Sequence, residues 1–423
     1  MRVLIYHSFA LEEGGGPAAY LKHYRDYLRT IDEDRYVFLC DIFDIDRFKD
    51  PFRGRSRDKK TGKLRPHQFS LTRIVERLKA LLPGGKSRIK NLKTGARRIS
   101  KSLPGDFFDL HQFDALQFHS SCDLFQARSM LRSYGGKVLL MSHSPKPWHR
   151  EYVEDTEGVD PRRVGKRFRD RLRSIDKSAF EMADALVFPC AEAMEPYRQL
   201  WPEFNDIASG KKLIFAPTPF EKETRPHEQR ELLHRLLDFS ESAVVAFFAG
   251  RHNAVKGYDL LCEAGASILD RWPSLHIVCA GIESAVIKCN HPRWHELGWR
   301  KDVGALMASA DFYILPNRMT YFDLVLLEAM SCGLPIVLSE TGGNRYFLRY
   351  PQSGFRFFHP GSAVSLQSAI DSVMAMDAQK RRLAGAVNMG IIQSDFGFDR
   401  FHATYNRGMT SLFEDPADLQ RVD

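Results

Sequence analysis

The chain has 423 residues, 43% hydrophobic and 12% aromatic, with 61 Lys+Arg against 53 Asp+Glu. That length and apolar content exclude a small stapled scaffold and an unfolded chain, and lead to roughly two to three domains, each with its own core. The formal charge of +8 is unevenly placed: Arg47 to Pro104 holds 19 Lys or Arg and three acids (Asp50, Asp58, Glu76), so this stretch carries +16 and the remainder −8.

The N-terminus, Met1-Arg2-Val3-Leu4-Ile5-Tyr6, reads as a buried strand rather than a signal peptide, and no run of about 18 uninterrupted apolar residues follows anywhere. A cytoplasmic protein is therefore expected. Gly14, Gly15 and Gly16 come next, ahead of the helical pattern Ala19, Leu21, Tyr24, Leu28. Glycines between a strand and a helix start let backbone amides approach an anion closely, although a structural turn explains them equally well. A second apolar run is Tyr36 to Cys40, and after it Asp44-Ile45-Asp46 has the form of a metal-binding DxD. Its position ahead of the basic insert argues against that role.

The insert, about residues 47–104, opens on a loop at 50–66. Leu71, Ile74, Val75, Leu78, Leu81 and Leu82 then repeat at helical spacing, as do Ile89, Leu92, Ala96, Ile99 and Leu103, with Lys and Arg on the opposite side. Two such helices can lie on an anionic membrane surface, where each basic residue adds about 1 kcal/mol. They can equally pack their apolar stripes on the domain and leave the charges in solvent. The two helical repeats carry no aromatic residues interleaved to stack bases, so nucleic acid is not expected as a partner.

Further apolar runs follow: Ala115 to Phe118, Lys137 to Met141, Ala185 to Phe188 and Leu213 to Ala216, then Val244 to Ala249, Leu275 to Ala280, Phe312 to Leu315 and Pro335 to Leu338. Continuous rather than alternating hydrophobicity marks strands covered on both faces, hence parallel sheets in an α/β fold. The proline-rich stretch Pro217 to Gln229 divides them. The expected organisation is two doubly wound, Rossmann-like domains, residues 1–216 and 217–395, with a helical segment 396–423 packing back towards the first. Seven scattered cysteines suit reduced core thiols. Cys289, His291 and His295 lack the fourth ligand a metal site needs, and no metal is expected.

Two motifs in the second half point to chemistry. Gly250-Arg251-His252-Asn253-Ala254-Val255-Lys256-Gly257 sets two cations in one loop between a parallel strand and a helix, where open α/β sheets bind ligands. Phe322-Asp323-Leu324-Val325-Leu326-Leu327-Glu328-Ala329-Met330 places Glu328 in an apolar helix start, where a carboxylate needs a donor such as a ribose hydroxyl. The turn Ser339-Glu340-Thr341-Gly342-Gly343-Asn344 adds a set of backbone amides.

The combination of GR-x4-KG, LLEAM-x-x-G-x-P-I-V and TGGN, with GGG after the first strand, resembles the GT-B glycosyltransferases, in particular the retaining family-four group. In the first half, the segments around His119 and His143 and the Ala183-Asp184-Ala185 strand entry match more weakly. The resemblance implies two Rossmann-like domains facing each other across a crevice, with the second domain holding a nucleotide-sugar donor. It implies that Arg251 and Lys256 bind the donor diphosphate, that Glu328 binds the ribose, that Gly15, Gly16, Gly250, Gly342 and Gly343 line the donor, and that His143 faces the donor sugar. His119, a lone strand-end histidine, fits a structural role at least as well.

One departure stands out. The family has a glutamate eight positions before the ribose-binding one, and here that position is Thr320. Asp323 stands where glycine is common. Either Asp323 or Thr320 then meets the sugar, which implies a changed donor rather than an inactive protein. The activity implied is sugar transfer with retention from a nucleotide diphosphate to an acceptor hydroxyl, without metal or cofactor, by front-face substitution in which the leaving phosphate takes the acceptor proton. The basic insert suits a lipid-linked or saccharide acceptor at the inner face of the cytoplasmic membrane, as in bacterial cell-surface polysaccharide or glycolipid assembly. A hydrolysing nucleotide-sugar epimerase of the same fold and a catalytically silent binding module remain as alternatives.

Overall fold

The computed structural model describes residues 1–7, 16–39, 92–97, 109–154, 160–220, 231–282, 286–350 and 354–414. Gly14, Gly15, the DxD segment and most of the basic insert lie outside the described residues. The chain forms two compact units, Met1–Val187 with Glu203–Leu213, and Phe188–Pro202 with Ile214–Asp423.

The first unit is built on strands β1 (Val3–Tyr6), β2 (Tyr36–Leu39), β3 (Ala115–Phe118), β4 (Lys137–Met141), β5 (Ala185–Phe188) and β6 (Lys212–Phe215), in the order β2-β1-β3-β4-β5-β6. β1 lies between β2 and β3 in parallel register, Val3 opposite Tyr36 and Ala115. Every residue of β1, β3 and β5 is buried, as expected for a sheet covered on both faces. Helix α1 (Gly16–Thr30) makes the first crossover and buries Leu21, Tyr24 and Leu28, three residues at helical spacing. An aspartate just ahead of a strand recurs as a register device. Asp114 accepts from the Arg2 amide (2.6 Å) and Asp184 from the Val138 amide (2.8 Å), giving an N–H at the start of the neighbouring strand a partner.

The one described part of the basic insert, residues 92–97, is a helical turn. Its apolar stripe packs on the protein: Leu92 and Ala96 are buried in a small cluster with Val153, Val164 and Leu172, and the Tyr152 hydroxyl donates to the Leu92 carbonyl (3.1 Å). Lys93 and Arg97 face solvent. These six residues adopt the solvated-charge arrangement rather than a free amphipathic face.

The second unit has β7 (Val244–Ala249), β8 (Leu275–Ala280), β9 (Trp294–Glu296), β10 (Phe312–Leu315), β11 (Ile336–Ser339) and β12 (Phe355–Phe358), in the order β12-β11-β10-β7-β8-β9 with all neighbours parallel. The edge strands β9 and β12 add to the runs expected from sequence. β9 has only three residues, and β12 reads Phe-Arg-Phe-Phe with a half-buried middle, so neither shows a continuous apolar run. Helices α2 (Tyr258–Arg271) and α3 (Ala363–Met374) close one face with Leu261, Ile268, Leu366 and Ile370 over Phe312 and Ile277. Asp311, just ahead of β10, accepts from the Val245 amide (2.9 Å) and repeats the device of the first unit. The last described helix, α4 (Phe398–Thr410), buries Phe398, Phe401, Tyr405 and Met409 at helical spacing within this unit. Among the described residues no helix is long and apolar enough to cross a membrane.

Candidate functional site

In the second unit the loops leaving β7, β8 and β9 are held together by backbone hydrogen bonds, with glycine at two positions, 257 and 281, where nothing larger fits. The Gly250 amide donates to Ala280 O (3.0 Å), Gly281 N to Gly298 O (2.8 Å) and His252 N to Ile282 O (3.0 Å). Gly281 has φ +156°, and a Cβ there would stand 1.7 Å from Gly250 O. Gly257, the residue before α2, has φ +68°, and its Cβ would lie 1.7 Å from Pro316 O. Arg251, Ile282 and Trp299 thus emerge side by side from three strand ends. Arg251 is exposed, and Ile282 and Trp299 are 57% and 62% exposed.

Next to Arg251, His252 is buried with its ring parallel to Tyr258 (centroids 4.0 Å, 3°). The Tyr258 hydroxyl donates to Glu296, which also accepts from Trp294 Nε1 (2.7 Å) and lies 3.7 Å from His252 Nδ1. Burial and the Glu296 carboxylate hold the Tyr258 phenol protonated, far above its ordinary range. This network fixes the backbone that carries Arg251.

Lys256 starts from an Asx turn, its amide donating to Asn253 Oδ1 (3.0 Å). Its ammonium meets both oxygens of Asp323, at 2.7 and 2.8 Å, and Asn317 Nδ2 donates to the same carboxylate. Asp323 is the residue before helix α5 (Leu324–Ser331), which carries the half-buried Glu328 on its second turn. Beneath them Tyr313, fully buried, donates to Ala249 O (3.0 Å) and accepts from Ala249 N (3.2 Å). Burial raises its phenol well above the ordinary range, and the charges of Asp323 and Glu328 add to that shift. Lys256, Asp323 and Glu328 are therefore brought together at the carboxyl ends of β7 and β10.

Thr320 is placed differently. It is 1% exposed, and among the described residues its hydroxyl has no hydrogen-bond partner. Its carbonyl accepts from Gly343 N (3.4 Å). A Cβ on Gly342 (φ +44°) would lie 2.2 Å from Thr320 O, and one on Gly343 1.9 Å from Tyr321 O. The Gly342-Gly343 pair is thus required where two backbone segments cross. The Gly342 amide already has a carboxylate partner, Glu195 Oε2 (3.0 Å), which Arg345 also approaches at 3.5 Å.

In the first unit, α1 begins at Gly16 and lays Tyr20 against His143 (ring centroids 5.6 Å) and His119 (6.3 Å). The two histidines leave the ends of β3 and β4 and touch, with His119 Nδ1 2.7 Å from His143 Nε2. Burial, reinforced by the neighbouring His7, lowers His143 to about 3, and burial with His143 and His7 holds His119 well below the usual histidine range. In the second unit His276 falls to about 4 through burial and its neighbour His295, 3.1 Å away. His291 instead pairs with Asp270 (3.3 Å), so the histidines near Cys289 serve separate contacts.

These shifts predict acid lability. The unfolded histidines bind protons near pH 6.5, before the folded ones do, so stability is complete above that pH and falls as pH drops towards 4. The melting temperature should fall between pH 7 and pH 5, less so in His276→Gln. A flat profile would contradict the buried neutral placement.

Sequence patterns missed Asn317, Glu296, Trp299, Glu195 and Gln117. Asn317 directly follows β10 and Trp299 is an aromatic in an otherwise polar loop, both readable signals; Glu195 lies 147 residues from its partner and gave none.

Residues 243–376 match the family model for glycosyl transferases group 1. The chain is 29% identical over 252 residues to the D-inositol 3-phosphate glycosyltransferase of Geodermatophilus obscurus, a match covering 53% of this chain and 54% of that protein. It is 24% identical to the lipopolysaccharide 1,2-N-acetylglucosaminetransferase of Salmonella typhimurium, over 53% of this chain and 63% of that one. The chain thus spans about half the length of the first of these relatives. Among solved structures, Anabaena HepE in complex with UDP-glucose superposes with a TM-score of 0.60 at 17% identity, covering 97% of this chain and 100% of that one. The two six-stranded parallel sheets and this likeness give the chain the GT-B fold.

Proposed function

We propose that this chain, whose residues 243–376 match the family model for glycosyl transferases group 1, moves a sugar from a nucleotide diphosphate donor to an acceptor hydroxyl. The observation that carries the reading is the convergence of Lys256, Asp323 and Glu328 beside the exposed Arg251 at one end of the second sheet. Arg251 and Lys256 neutralise the charge that grows on the diphosphate as the glycosidic bond breaks, and Glu328 accepts from the ribose hydroxyls. Trp299 and Ile282 offer apolar surface to the base. In the first unit, His143 meets the donor sugar.

No close pair of carboxylates of the double-displacement kind is needed. Transfer with retention follows if the acceptor oxygen bonds to the anomeric carbon on the face the phosphate leaves, its proton passing to that phosphate oxygen. Asp323 balances the Lys256 charge, and its carboxylate, 17% exposed, is more accessible to a sugar hydroxyl than the Thr320 hydroxyl, on a residue 1% exposed.

A panel of nucleotide sugars read by thermal shift tests this directly, because a donor stabilises by mass action even when turnover is slow. At least one should raise the melting temperature, and Trp299→Ala should weaken that nucleotide about tenfold, in line with roughly 1–3 kcal/mol for stacking a base on an aromatic ring. Unchanged affinity in Trp299→Ala would remove the tryptophan from the base site.

The acceptor is proposed to be a lipid-linked or saccharide chain at the inner membrane face, within bacterial surface polysaccharide or glycolipid assembly, reached through the basic insert. Deleting residues 50–90 keeps the buried Leu92 and Ala96. That variant should lose flotation with anionic vesicles at low salt; full flotation would reject the insert as the membrane contact.

A further inference from the structure

The contact between His119 and His143 belongs to a longer chain of hydrogen bonds whose first member, Gln117, fixes where the protons sit. Gln117 is a polar residue in the middle of β3, 1% exposed, on a strand whose other members are Ala115, Leu116 and Phe118. Its side-chain nitrogen lies 2.9 Å from His119 Nε2 and 3.8 Å from Met141 Sδ. A thioether sulfur only accepts, so the amide NH₂, rather than its oxygen, belongs on this side, with one hydrogen for each neighbour. His119 Nε2 is then an acceptor and carries no hydrogen.

A neutral imidazole has one N–H, so the His119 proton is on Nδ1, which lies 2.7 Å from His143 Nε2. That nitrogen must in turn accept. The same rule leaves the His143 proton on Nδ1, the nitrogen outside the chain. The rings are nearly coplanar, with centroids 5.0 Å apart and 13° between their planes, which suits an in-plane N–H···N bond. Burial and His7 keep both rings neutral near pH 7.

We infer that Gln117 is a positioning residue: through His119 it sets the tautomer of His143, so that His143 offers an N–H donor at Nδ1 and not a lone pair. The role of that donor towards a sugar oxygen rests on the function proposed above, whereas the tautomer does not. Reversing the first bond reverses the whole chain. A carboxylate at position 117 would accept from His119 Nε2–H, His119 Nδ1 would accept from His143 Nε2–H, and His143 Nδ1 would present a lone pair.

Long-range ¹H–¹⁵N correlation spectra of histidine-labelled protein read the tautomers directly, with His119→Ala and His143→Ala used to assign the two rings among the 15 histidines. The wild type should show both rings neutral, each protonated on Nδ1. A His143 proton on Nε2 would overturn the inference without any variant of Gln117 having to fold. Gln117→Leu removes the donor at similar volume and should leave His143 in mixed tautomers, with kcat about tenfold lower and nucleotide affinity unchanged; Gln117→Glu should move the His143 proton to Nε2. Unchanged tautomers in a folded Gln117→Leu would overturn the control by Gln117. Altered tautomers with unchanged kcat would instead remove His143 from sugar binding and leave the second unit's donor site standing.

Discussion

Replacing Lys256 with alanine should lower kcat/KM for sugar transfer by about a hundredfold to a thousandfold while leaving the fold in place. The magnitude follows from removing one preorganised cation from a developing phosphate charge, about 3–4 kcal/mol of transition-state stabilisation. The fold should survive because the loop is held by the backbone: Lys256 N reaches Asn253 Oδ1, and Gly257 fits against Pro316 O whatever the side chain at 256. Asp323 keeps its Asn317 donor and partial solvent contact, so it is not left as a buried unpaired charge. A melting temperature within a few degrees of the wild type together with lost transfer is the expected pair of results. Wild-type rates in Lys256→Ala would remove the diphosphate clamp from the account.

The second large effect concerns stability. Gly343→Ala should cost about 3 kcal/mol or more, because the new Cβ would stand 1.9 Å from the Tyr321 carbonyl, and neither backbone segment can move without disturbing the other. Gly250→Ala is the matched control. There the nearest atom to a new Cβ is the Phe248 ring at 3.5 Å and the next is the Lys256 stem at 3.7 Å, ordinary contacts, so the melting temperature should hold. The contrast separates two reasons for glycine. At 343 the residue is needed for the crossing of two backbones; at 250 the space is open, and any loss in the alanine variant would show in nucleotide binding instead. Equal stability of the two variants would contradict the crossing.

The sheets were legible because a parallel strand buried on both faces leaves an uninterrupted apolar run. Val3–Tyr6, Ala115–Phe118, Val244–Ala249 and Phe312–Leu315 stand where the sequence puts them, Tyr36–Leu39 agrees as far as the described residues run, and Ile336–Ser339 is shifted by one residue. Trp294–Glu296, only three residues long, and Phe355–Phe358, interrupted by Arg356, carry no such run and could not be read. In the candidate site, the Arg251–Lys256 loop and Glu328 were visible as charges set against apolar surroundings. What they meet was not visible. The Lys256–Asp323 pair joins residues 67 apart, and Glu195 reaches Gly342 across 147. Pairings of that kind depend on tertiary placement, which no local spacing encodes. The Thr320 question is of the same sort: only burial distinguishes its shielded hydroxyl from the accessible carboxylate of Asp323. Gln117, a polar residue within a strand, takes its meaning only from its neighbours His119 and Met141.

Nucleoside diphosphate release from a panel of nucleotide sugars, measured with and without a lipid-linked saccharide acceptor, separates sugar transfer from its alternatives. Release should depend on the acceptor for at least one donor and be lost in Lys256→Ala. Release that proceeds equally without acceptor would point to a hydrolysing epimerase, and no release from any donor would contradict the assignment as a transferase.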